Sequence, residues 1–127
     1  VYAMEFMARQ FDNRFPEVAL SYLEAALEHA EGPRARVLAS SIARRHHELA
    51  KEFRKQQQPE EASVHFERAL ALEPRAEFLL DYGTMLASYG NLGAAAGLLR
   101  EALELEPELE PARRALEMVQ KLQKEGR

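Results

Sequence analysis

The chain has 127 residues, about the length of one domain, with 46% apolar and 30% charged residues and a net charge of −4. That mixture excludes global disorder, and the absence of cysteine excludes disulfides, thiolate catalysis and zinc–thiolate sites. Only Val1, Val18, Val37, Ile42, Val64, Thr84 and Val119 are β-branched, too few to build a sheet, whereas Ala, Leu, Glu and Arg abound. No segment is apolar for long enough to insert into a membrane, and no signal-type apolar region opens the chain. A cytoplasmic location is expected. The first residue is Val, which fits a fragment or a processed product.

Charge is unevenly distributed along the chain. Residues 1–33 carry two bases against six acids, residues 34–55 carry seven against two, and the remainder carries eight against thirteen. A positive segment thus lies between two negative ones, which bears on partners more than the total does.

Prolines and glycines divide the sequence into seven predicted helices, near 2–13, 16–30, 34–56, 59–72, 75–89, 92–105 and 110–124. Pro16, Pro59 and Pro111 suit a first helical turn, where a missing N–H costs nothing. Gly32-Pro33, Glu73-Pro74 and Glu106-Pro107 mark breaks between hairpins, and Gly90-Asn91 makes a tight turn within one. In the third helix Ala35, Leu38, Ala39, Ile42, Ala43, His46, Leu49, Ala50 and Phe53 form a single stripe. Its constant phase favours one long helix, with a break at Ser40-Ser41 as the alternative. The last helix presents Ala112, Ala115, Leu116, Val119 and Leu122 on one face, as a helix capping the array would.

Two stretches superimpose with a period of 33 residues: His46, Leu49-Ala50, Phe53, Ala62, Phe66, Ala69 and Pro74 match Leu79, Tyr82-Gly83, Leu86, Ala95, Leu99, Ala102 and Pro107. Small residues recur where helices would cross, bulky ones recur beside them, and proline closes each unit. On these residues the sequence resembles the tetratricopeptide repeat (TPR) family, most strongly over 43–107. The resemblance implies an all-α, right-handed superhelical stack of antiparallel helical hairpins in one domain. The expected hairpins are 2–30, 34–72 and 75–105, closed by a capping helix at 110–124. His46 departs from the pattern at a bulky position. The first unit is fainter: Ala19, Leu23 and Ala26 place Phe6-Met7 where a Leu-Gly pair belongs, and Ala19 lies 43 residues before Ala62.

Catalytic chemistry finds little support. His46 and His47 are adjacent and diverge on a helix, His29 and His65 lie on other helices, and no ligand-type spacing appears. Gly90, Gly93 and Gly97 follow a helical segment and form no phosphate loop; two glycines inside a helix suggest that something packs closely on Gly93 or Gly97. No catalytic, metal or cofactor residues are assigned, and a non-enzymatic protein-interaction or adaptor module is expected.

In the TPR family the first helix of each hairpin lines a concave groove. Carried over, that rule gives Met4, Ala8, Phe11 and Asp12 from the first unit, Arg44, His47, Lys51, Arg54 and Lys55 from the second, and Leu80, Thr84, Ala87 and Ser88 from the third. The bases recur at three- and four-residue steps, so they form one ridge suited to an acidic or amphipathic peptide segment. The clamp for chaperone tails is not implied: Met4 and Ala8 replace its first Lys and Asn, His47 or Glu48 stands where Asn is expected, and Glu77 and Asp81 replace its last bases. A second copy of the chain, with its acidic and partly apolar termini, is an alternative guest. RNA is a rival ligand, disfavoured by the acidic total and by a basic ridge only one helix long. If hairpins stack as the repeat implies, Ala62→Leu or Ala95→Leu should each destabilise by about 1–3 kcal/mol through overpacking, measured by urea unfolding.

Overall fold

A computed structural model describes residues 4–5 and 16–126. Residues 4 and 5 are helical, and the rest of the helix expected at 2–13 lies outside the described residues. Among the described residues the fold is all-α, with six helices: α1 (Pro16–Glu28), α2 (Gly32–Lys55), α3 (Pro59–Leu72), α4 (Ala76–Ser88), α5 (Leu92–Leu105) and α6 (Glu110–Glu125). Proline stands in the first turn of α2, α3 and α6, where the first N–H groups of a helix have no intrahelical acceptor anyway.

The second helix runs unbroken through Ser40-Ser41 for 24 residues, about 36 Å at the standard rise. Its length explains the 43-residue spacing of the first unit. Leu38, Ile42 and Leu49 of α2 pack with Ala19, Leu20, Leu23 and Ala26 of α1. Farther on, Ala50 of the same helix packs with Ala62 and Phe66 of α3 and with Tyr82 and Met85 of α4. One helix therefore serves three neighbours along its length.

Both tight connections end the preceding helix in the same way. After α2, the Gln57 N–H donates to the Arg54 carbonyl (3.0 Å) and the Gln58 N–H to the Phe53 carbonyl (2.9 Å). After α4, the Gly90 and Asn91 N–H groups donate to Ala87 (3.0 Å) and Leu86 (2.9 Å). These paired bonds form the Schellman motif, which needs a left-handed residue at its centre. Gly90 supplies it at φ 85°, and Gln57, the residue 33 positions earlier, adopts φ 59° despite its side chain. The short turns send α3 back along α2 and α5 back along α4, and α6 packs on α5 and reaches α4.

Close approach of α4 and α5 depends on Gly83. A Cβ placed there would lie 3.0 Å from Leu99 Cγ and 3.4 Å from the Ala95 carbonyl oxygen. Gly93 and Gly97 differ from expectation: a Cβ at either meets nothing within 4 Å, because both face open space instead of a packed neighbour. The same substitution should therefore act with opposite sign at the two kinds of site. Gly97→Ala should stabilise by about 0.5–1 kcal/mol through helix propensity. Gly83→Ala should destabilise by about 1–3 kcal/mol through overpacking against Leu99. Urea unfolding followed by far-ultraviolet circular dichroism checks both.

Candidate partner-binding groove

The 33-residue offset brings α2 and α4 side by side, so the positions expected to line a groove come from adjacent helices. Arg44 and Lys55 are exposed, and Lys51 and Arg54 are half-buried. Lys51 Nζ lies 3.2 Å from Glu48 Oε1, and Lys55 Nζ lies 4.0 Å from Glu52 Oε2. Both pairs sit one helical turn apart in solvent, where such bridges are weak and their partners remain free to exchange. Arg54 instead spans the two helices, its guanidinium donating to Thr84 Oγ1 at 3.3 Å. Thr84 in turn donates to the Asp81 carbonyl at 3.0 Å. On α4, Leu80 and Ala87 are half-buried, and exposed Ser88 turns its hydroxyl back to the Met85 carbonyl at 2.6 Å.

His47 does not join the exposed ridge. It is 3% exposed, its Nε2–H donates to Asp81 Oδ2 at 2.6 Å, and its ring lies against Phe78 and Phe66, with centroids 4.6 and 6.0 Å away. The physical reason is that α2 is covered on two sides, by α3 and by α4, so its buried arc is wider than one apolar stripe. The consequence is a fixed polar tie between α2 and α4 that also orients the Asp81 carboxylate. Met4 packs half-buried against the α1–α2 cluster, so it belongs in part to the core. Ala8, Phe11 and Asp12 lie outside the described residues.

A second polar constellation escaped the pattern of the sequence. His46 Nδ1 and His65 Nδ1 lie 2.9 Å apart, beside a cavity of about 240 Å³ lined by Glu17, Leu20, Ser21, Glu24, His46, His65 and Arg68. Burial, with His65 and Arg68 close by, pushes the His46 imidazole down from its ordinary 6.5 to about 4. Burial and Arg68 also lower His65, against an opposing pull from Glu17. The signal that could have found the pair is the repeat itself, since these two positions correspond to Leu79 and Leu98 in the next unit. Among the described residues no group of three or more His, Asp or Glu side chains is placed to hold a metal ion. No described helix is long and apolar enough to cross a membrane.

No family model matches the chain, and no curated protein matches it. Among solved structures, the chain is similar to the C-terminal TPR-containing domain of an FK506-binding protein from Plasmodium falciparum. The similarity covers 98% of this chain and 89% of that one, at 18% identity and a TM-score of 0.62. A likeness at that identity is one of fold. The class it defines is an all-α helical-repeat solenoid of TPR type.

The His47–Asp81 tie gives a direct test of how the two units are joined. Asp81→Ala should destabilise by about 1–3 kcal/mol, because it leaves a buried imidazole N–H without an acceptor. Comparison of urea midpoints at neutral pH checks this.

Proposed function

We propose that this chain is a non-catalytic protein-interaction module whose α2–α4 groove takes an acidic or amphipathic segment of a partner protein. The observation that carries this reading is the row of Arg44, Lys51, Arg54 and Lys55 along the exposed part of α2, with Arg54 tethered to Thr84 on the neighbouring unit. Two of these bases have only exposed glutamates of their own helix as partners, which an incoming carboxylate can displace at little cost. Leu80 and Ala87 on α4 add an apolar strip beside the charged one, the combination an amphipathic guest requires. The fold class supports the reading, because a stack of hairpins presents an extended surface and no enclosed reaction chamber.

In this reading residues 1–127 act as one domain, the units stack in register, and α6 closes the array by covering the outer side of α5. The acidic ends of the chain make a second copy a competing guest, and self-association is separated from partner binding by molar-mass measurement over a concentration series.

Fluorescence anisotropy with labelled helical peptides, matched in apolar content and differing in acidic content, tests the proposal. The acidic peptide should bind, and Lys51→Glu with Arg54→Glu should weaken it by about tenfold or more while helical circular dichroism is retained. Equal affinity for acidic and neutral peptides, or binding untouched by the charge reversal, would falsify the groove assignment. Stronger binding to a generic RNA, falling steeply with salt, would point to the nucleic-acid reading instead.

A further inference from the structure

The histidine pair between α2 and α3 has no counterpart in the neighbouring unit. One period later, Leu79 and Leu98 occupy its positions, and they pack in one apolar cluster. The fold therefore does not require polar groups there. The imidazoles replace a simple apolar contact with a more demanding one: His46 is 2% exposed, against 3% for Leu79, and its Nε2 has no hydrogen-bond partner. Glu24 Oε2 on α1 lies 3.7 Å from it, beyond hydrogen-bond distance. His65 lies between two rings, meeting the His46 ring edge to edge with centroids 5.1 Å apart and stacking on Phe53 at 5.4 Å.

A hydrogen bond between two Nδ1 atoms needs one proton between them and no more. With both rings neutral, one Nδ1–H donates and the other nitrogen accepts. With one ring cationic the bond persists, because the cationic ring donates and the neutral one accepts. A second proton removes the acceptor, leaving two N–H groups and two like charges face to face at 2.9 Å. The groups facing the pair do not rescue that state. Glu17 and Glu24 on α1 attract protons to it, but Arg68 on α3 and the loss of solvent oppose them, and the balance lies towards the neutral rings.

We propose that the His46–His65 pair is a proton-sensitive latch: closed at neutral pH, it parts when doubly protonated and opens the α1–α3 half of the array ahead of α4–α6. The direction follows from linkage. Both rings bind protons less readily in the folded protein than in the unfolded chain, whose imidazoles titrate near the ordinary 6.5. The unfolded state therefore takes up more protons as pH falls through 6.5 towards about 4, and stability present above that window is lost within it. The latch does not depend on what the groove binds, so its failure would leave the groove proposal standing.

Urea unfolding at about pH 7.5 and about pH 5, on the native chain and on His46→Leu/His65→Leu, tests it. The paired substitution copies the neighbouring unit and keeps His29 and His47 as internal controls. Between the two conditions the unfolding constant of the native chain should rise by about tenfold more than that of the variant. Amide hydrogen exchange, corrected for its intrinsic pH dependence, should place the change in α1–α3. The same pH dependence in both proteins, or loosening spread evenly through α4–α6, would overturn the latch. Should the variant not fold, titration of the imidazole resonances in the native chain decides: both rings titrating well below 6.5 support it, and either titrating at or above 6.5 refutes it.

Discussion

Two helices lie close where one of them carries a methyl group or no side chain at the crossing, and the other relations in this molecule follow from where such places fall. Gly83 on α4 admits Leu99 and the Ala95 carbonyl of α5 at contact distance. Ala50 holds the same register on α2 against Ala62 and Phe66 of α3. Large side chains then flank each crossing, and proline begins several of the helices and stands between units. Because the small residues recur at a constant interval, the α2–α3 and α4–α5 crossings are built alike, and the core is a chain of small clusters instead of one central mass. That is the organisation expected when each unit leaves one apolar side to its neighbour.

The proposed groove rests on that stacking. With α2 and α4 adjacent, residues that lie far apart in sequence meet as pairs: His47 with Asp81, and Arg54 with Thr84. The first pair is buried on its histidine side and fixes one unit against the next. The second lies nearer the surface and holds a guanidinium in place without neutralising it. Lys51 and Lys55 are engaged only by glutamates of their own helix, in pairs too exposed to cancel the local field. A positive strip on an acidic chain results, set beside apolar positions of α4.

The helices and their order were legible because proline and glycine mark the boundaries and because alanine, glycine and leucine repeat at one spacing. The continuity of α2 could be read from the unbroken phase of its apolar stripe. Burial of His47 could not, since adjacent residues on a helix diverge, and only a helix covered on two sides hides both. The His46–His65 contact was hidden for another reason: it joins residues 19 positions apart, on two helices separated by the turn between α2 and α3. Gly93 and Gly97 misled in the opposite sense: a helical glycine suggests a close neighbour, but neither has one. Of the proposed groove positions, Arg44, Lys51, Arg54 and Lys55 follow most directly from sequence, because their helical spacing sets them on one ridge. Those from the first unit follow least directly, because its fit to the repeat pattern is weak.

A charged, partly apolar groove on α2 and α4 is the proposed binding face of this repeat fold. Backbone and side-chain resonances mapped during titration with an acidic amphipathic peptide test that proposal most directly. Perturbations should be confined to the proposed groove face, at Arg44, Lys51, Arg54, Leu80, Thr84 and Ala87. Perturbations centred on the outer helices α3 and α5, or none at a saturating peptide concentration, would contradict it.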